Sequence, residues 1–314
     1  MQGLTAALRR FFNRRNTAII VGTLVVLIGG RILFPVPLPT IQLPAEKIPG
    51  LSVFGFPITN TLIATLLADL TLVGIIIAVR SRMSLIPSGF QNLVEWFIET
   101  FYNLAEEIAG ENTRRFFPLF MSILLFLLIA NWWELVPGFD SIGIIEPAHE
   151  EGMRAYEIKD LGPLAILTPH ESDHGYILVP FLRAAATDLN LPLGLALIVM
   201  VYVQVVGFRA LGKNYLHKFF NFRGPIEAFV GFLELISEFA KIISFSFRLF
   251  GNIFAGQVLL FVMPFLIPYL VVVPFYGLEM FVGFMQAFVF AILALVFSTM
   301  AVIPHEGHGE EGGH

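Results

Sequence analysis

From Ile226 to Met263 the chain runs 38 residues without a proline, most of them apolar. As a single helix this stretch would be roughly 57 Å long, against a bilayer hydrocarbon core of about 30 Å. After Pro264 and Pro268 a second apolar run, Tyr269 to Ile303, would reach roughly 52 Å by the same rise. Ordinary tilts of about 20° do not absorb such an excess. Either each segment breaks, or the two form a steeply tilted hairpin. Pro274 lies near the start of the second run and nothing interrupts the first, so the unbroken hairpin is expected.

The first run also carries polar groups three or four residues apart: Glu234, Ser237, Lys241, Ser244, Arg248 and Asn252. On a helix that spacing stacks them on one face, with a drift of only roughly 40° between Glu234 and Arg248. A charged side chain in hydrocarbon costs at least about 2.5 kcal/mol, so this row must face protein, water or a counter-charge. Glu279, Gly283, Gln286 and Phe290 follow the same spacing in the second run, with Ser298 further on.

Composition agrees with a membrane setting. Of 314 residues, 56% are hydrophobic and 14% charged, with a mean hydropathy of +0.79. Soluble domains average about 25% charged residues, so an all-α polytopic membrane protein is expected. A net charge of −5 without a basic cluster gives no sign of nucleic-acid binding. The chain has no cysteine, which excludes disulfides and thiolate chemistry.

Residues 1–34 join a basic start (Arg9, Arg10, Arg14, Arg15) to an apolar run, read as a retained anchor or a signal segment. The retained anchor is favoured, with its arginines cytoplasmic. Residues 35–58, rich in proline, form an outer loop or extended segment. A span from Asn60 to Val79 follows and contains Asp69. That carboxylate is either functional or a hydrogen-bonded acid facing the bundle.

Residues 88–110 read as an amphipathic interfacial helix, with Ser88 as N-cap and Gly110 as stop. Phe90, Leu93, Val94, Phe97, Phe101, Leu104 and Ile108 form its apolar stripe. The next span, Phe116 to Val136, ends in an aromatic belt of Trp132 and Trp133.

Residues 137–186 are a polar, acidic outer insert. They include His170-Glu-Ser-Asp-His174, a match to the H-E-x-x-H zinc pattern. Pro169, Gly175 and the turn-forming Ser172 and Asp173 argue against the helix that pattern needs. A solvated loop without metal is therefore expected. The span from Thr187 to Phe208 opens with Asp188 and Asn190, where a helix cap and a proton-attracting entrance are both open readings. The basic loop 209–223 is cytoplasmic. Residues 304–314 form a low-complexity polar tail.

The physical reading centres on Arg248. Arginine does not release its proton, yet an opposite charge within a few ångströms lowers an acid's pKa by about one to three units. A fixed cation between carboxylates at two depths blocks straight-through leakage and makes a passing carboxylic acid ionise. The plainer reading is a structural ion pair with an acid of the same chain.

Ser244-Phe-Ser-Phe-Arg248-Leu-Phe-Gly-Asn252-Ile-Phe-Ala-Gly-Gln257 resembles the signature of the a subunit of F-type ATP synthases. Gln286-Ala-Phe-Val-Phe290 resembles that family's second signature, and the likeness extends from about Thr59 through Ile303. The resemblance implies a membrane domain over 59–303 whose tilted hairpin faces a rotating ring of c subunits. It also implies b-type peripheral stalk subunits and other ATP synthase subunits as partners, in a bacterial inner membrane. No cofactor is implied, and the subunit is not itself an enzyme.

By the same resemblance, Arg248 engages the ring carboxylates between two offset aqueous half-channels. Glu234, Ser237 and Ser244 correspond to the cytoplasmic-side path. Asp188, Asn190, Asn252, Gln257, Glu279 and Gln286 correspond to the outer path. Of Gln257 and Glu279 only the latter titrates, which leaves Gln257 a hydrogen-bonding support. The segment to Phe34 and the outer insert are additions relative to compact bacterial members. Rival readings are a self-contained channel or secondary transporter, which predicts broken helices or inverted repeats, and a membrane metalloprotease.

Overall fold

A computed structural model describes residues 22, 45–53, 55–81, 83–147, 156–160, 165–171, 175–216, 219, 224–266 and 272–303. Apart from residue 22, the N-terminal anchor segment lies outside these residues. So do the tail from residue 304, the connection 267–271, and Lys218 and Arg223 of the basic loop.

The helices are α1 (Asn60–Ser81), α2 (Phe90–Ala109), α3 (Thr113–Trp133), α4 (Asn190–Leu211), the short α5 (Lys213–Leu216), α6 (Pro225–Leu266) and α7 (Val272–Met300). Among the described residues five helical segments are long and apolar enough to cross a bilayer: 60–81, 90–133, 190–211, 225–266 and 272–300. The mostly helical polytopic membrane fold is thus as expected. α6 is continuous over 42 residues, roughly 63 Å. The overlong first run therefore does not break. Pro264 lies in its last turn, where the backbone bond it fails to donate to the Leu260 carbonyl is lost only at the end of the helix.

The chain divides into two compact units. The larger comprises 43–142, 180–254 and 280–314, the smaller 1–42, 143–179 and 255–279. In the larger unit α3 contributes Phe116, Phe120, Leu124 and Leu127, fully buried at four- and three-residue spacing. They join Val199 and Val203 of α4, Phe245, Leu249 and Ile253 of α6, and Phe290 and Leu295 of α7 in one core. Ala287, Ala291, Ala294 and Ser298 are buried along one side of α7, small residues that let helices approach closely. The Phe245 ring meets Phe290 edge-on at 4.9 Å. A second cluster joins Ala64 and Ala68 of α1 to Ala130 and Phe139.

Two expectations for α2 change. Its start is set by Gly89, at φ +58° and without a side-chain cap, so Ser88 is not the N-cap. The left-handed turn at glycine places the serine outside capping reach. Gly110 does end the helix, its N–H donating to the Glu106 carbonyl. The apolar stripe is also divided: Phe101 and Ala105 are buried in the core with Phe97, Leu104 and Ile108 packed against it, while Phe90 and Leu93 stay exposed.

Strands occupy the outer segments, in the 35–58 region as the extended alternative allows, and in the insert in place of a solvated loop. β1 (Lys47–Val53) and β2 (Phe56–Thr59) form an antiparallel hairpin turning at Gly55, φ +83°. In the smaller unit β3 (Gly143–Pro147), β4 (Tyr156–Asp160), β5 (Ala165–Glu171) and β6 (Tyr176–Pro180) form a sheet ordered β3-β6-β4-β5. β4 runs antiparallel to both β5 and β6. His170 and Glu171 end β5, an extended backbone in place of the helix on which an H-E-x-x-H pair binds zinc. His174 lies outside the described residues.

Candidate functional site

α6 has two faces in the larger unit. Phe245, Leu249 and Ile253 recur every four residues and are buried in the core. Ala240, Ser244, Phe247, Arg248, Gly251 and Asn252 are exposed. Arg248 stands 23 residues after Pro225 and 18 before Leu266, near the middle of the helix. Among the described residues it forms neither an ion pair nor a hydrogen bond, so no acid among them pairs with it. Beside it Gly251 is open, with nothing within 4 Å of the position a Cβ would take. The helix therefore offers a guanidinium and small neighbours to whatever covers this face.

Toward the N-terminal end of α6, Glu234, Ser237 and Lys241 are half-buried. The Lys241 ammonium donates to Glu238 Oε1 at 2.9 Å and lies 4.9 Å from the centre of the Phe297 ring. Glu238 is buried. Sequence reasoning passed it over because it lies off the polar row; the Glu-x-x-Lys spacing was the available signal.

Beyond Arg248, Asn252 donates its Nδ2 to Gln286 Oε1 of α7 at 2.7 Å. Gln286 is buried, and its Nε2 has no acceptor among the described residues. The register of α7 is held from α3: Asn131 Nδ2 donates to the Gly283 carbonyl at 3.0 Å, and Trp132 Nε1 to the Met280 carbonyl at 3.2 Å. A side chain at Gly283 would press on Asn131, its Cβ only 3.1 Å from that of Asn131. Trp133 Nε1 donates to Thr71 Oγ1 at 3.0 Å. The two tryptophans read as an interfacial belt thus also tie helices together.

In the smaller unit Gln257 and Glu279 are both buried. The Glu279 carboxylate lies over Gly256, in the space that a Cβ there would fill. Glycine is the residue that admits it.

Asp188 follows a 3₁₀ turn at Ala185–Thr187. Its carboxylate accepts from the Asn190 backbone N–H and from Asn190 Nδ2, both at 3.1 Å, and from Thr61 Oγ1 at 3.5 Å. The N-cap of α4 is Leu189, without a side-chain cap bond, so neither Thr187 nor Asp188 is the cap; Asp188 instead closes a local turn onto Asn190 just before it. Asp69 is exposed on α1 and has no hydrogen bond or ion pair among the described residues.

Of the residues singled out from sequence, three small groups are therefore joined or neighbouring in the fold. They are Asp188 with Asn190, Asn252 with Gln286, and the buried Gln257 and Glu279 within the smaller unit. Ser244 and Arg248 share the outward face of α6.

Residues 60–299 match the family model described as ATP synthase A chain. The chain is 30% identical over 244 residues to ATP synthase subunit a of Campylobacter jejuni, covering 76% of this chain and 88% of the relative. It is 30% identical over 245 residues to subunit a of a Nitratiruptor species, covering 77% and 88%. To subunit a of Helicobacter pylori it is 32% identical over 231 residues, covering 72% and 82%. With the family model matched over most of its length, this integral membrane chain belongs to the a subunits of F-type ATP synthases.

Proposed function

We propose that this subunit conducts protons between two offset half-channels, at an interface where Arg248 meets the carboxylates of a rotating c-subunit ring. The observation that carries this reading is the outward exposure of Arg248 at mid-helix, without an ion pair among the described residues. A cation held in a membrane-spanning helix needs a counter-charge, and none is supplied there among the described residues. A passing ring carboxylate, neutral in lipid, ionises beside the guanidinium and releases its proton. Arginine keeps its own proton, so the same group separates the two paths.

Glu234, Ser237 and Ser244 serve the cytoplasmic path. Asp188, Asn190, Asn252, Gln257, Glu279 and Gln286 serve the outer one. The buried Gln286 Nε2 is a donor that water in an access path would satisfy. The subunit makes and breaks no covalent bond; b-type stalk subunits hold it against rotation, and the bacterial inner membrane is its place. A self-contained transporter is disfavoured because α6 is unbroken.

The test uses membranes carrying the assembled complex. Arg248→Ala is expected to abolish ATP-driven proton pumping while ATP hydrolysis by the released soluble sector persists. Normal pumping by that variant would sink the proposal.

A further inference from the structure

Lys241 sits seven residues before Arg248, within about 20° of it around an ideal helix and roughly 10 Å along its axis. Its Cα therefore belongs to the same row. Its ammonium does not: it is folded back to the buried Glu238 at 2.9 Å and over the Phe297 ring of α7 at 4.9 Å. Ser244 and Arg248, by contrast, are exposed. The polar row thus contains two cations, of which one is neutralised inside the protein and one is presented.

We propose that Glu238 is a positioning residue that holds the Lys241 ammonium off the outward face, leaving Arg248 as the cation that face presents to the rotor. This rests on the assignment of Arg248 above. A second free ammonium on the same stripe would attract the same carboxylates ahead of Arg248 and hold them at the wrong depth. Lysine's long flexible stem gives it the reach, and the aromatic ring gives the folded-back ammonium a second attractive contact. The pair also leaves no net charge beside Glu234 to repel incoming protons.

The experiment compares wild type, Glu238→Gln, Lys241→Leu and Glu238→Gln/Lys241→Leu in membranes carrying the whole complex, with subunit content measured by immunoblot. Glu238→Gln is expected to lower ATP-driven pumping per complex by roughly threefold or more, the scale of a coupled charge pair. Lys241→Leu and the double variant are expected to pump near the wild-type level. Recovery alone does not separate positioning from the simple cost of an unpaired lysine, so a zero-length carbodiimide coupling is read alongside by mass spectrometry. In wild type the reagent joins Lys241 to Glu238; in Glu238→Gln it joins Lys241 to a ring carboxylate.

Where Glu238→Gln does not assemble, Glu238→Ser replaces it and is expected to give the ring adduct as well. Wild-type pumping by Glu238→Gln, a double variant as impaired as the single, or absence of the ring adduct overturns the inference. Arg248→Ala, run in the same membranes, separates the two failures: its loss of pumping with no effect at Glu238 refutes only the present inference.

Discussion

The carboxylate of Glu279 lies against the backbone of Gly256, in the volume that any larger residue at 256 would claim with its Cβ. An acid is thereby held close to the main chain of the helix that carries Arg248. No side chain separates the two.

Replacing Gly256 by Ala is expected to displace that carboxylate, because the new methyl and the acid cannot share the space. Overpacking of this kind costs about 1–3 kcal/mol where the neighbour cannot yield. Gradient-driven ATP synthesis should fall several-fold, with partial recovery in Gly256→Ala/Glu279→Asp, whose acid is one methylene shorter. Unchanged synthesis in the single variant would show that the carboxylate moves aside without consequence.

Glu279→Gln keeps the shape of the side chain and removes its titration. If Glu279 takes protons from the outer side, synthesis driven by a fixed gradient should rise as outer pH falls in the wild type. That component should be missing from the variant, which runs slower and with a flatter profile. Identical pH profiles would remove Glu279 from the path.

Asn252→Leu breaks the 2.7 Å bond to the buried Gln286 and strands that amide. Leaving such a group unsatisfied costs about 1–3 kcal/mol. Passive proton conduction through membranes stripped of the soluble sector is the measurement, combined with Gln286→Leu in a double-mutant cycle. Additive losses would mean that the bond plays no part in conduction; a coupling beyond about 0.5 kcal/mol is expected.

Ala291→Leu tests packing in place of chemistry. Ala291 is fully buried on the small-residue side of α7. Three extra carbons there should lower the Tm of the detergent-solubilised subunit, at a cost of about 1–3 kcal/mol. A Tm equal to that of the wild type would mean that the core accommodates the added volume.

Much of the membrane framework was readable from length and periodicity alone. The α6 run had no interior proline before Pro264, so its continuity followed. What escaped was tertiary. The packing of the Lys241 ammonium over Phe297, 56 residues away, and the anchoring of α7 through Asn131 and Trp132 to main-chain carbonyls join residues far apart in the chain. No local pattern encodes such pairings. The outer strands were missed for another reason: runs such as Tyr176-Ile-Leu-Val179 are short, and the acidic residues between them dominate the composition. Ser88 failed as a cap because Gly89 had a prior claim on the turn.

The continuity of α6 has a mechanical consequence. A hydrogen-bonded rod that passes Arg248 by roughly 34 Å on one side and 27 Å on the other has no built-in hinge at the point where a rotor would push. Sideways load on the guanidinium is carried through Phe245, Leu249 and Ile253 into the packed core, distributed over several contacts instead of bending one. Stiffness of that kind keeps the arginine at a fixed station along the helix.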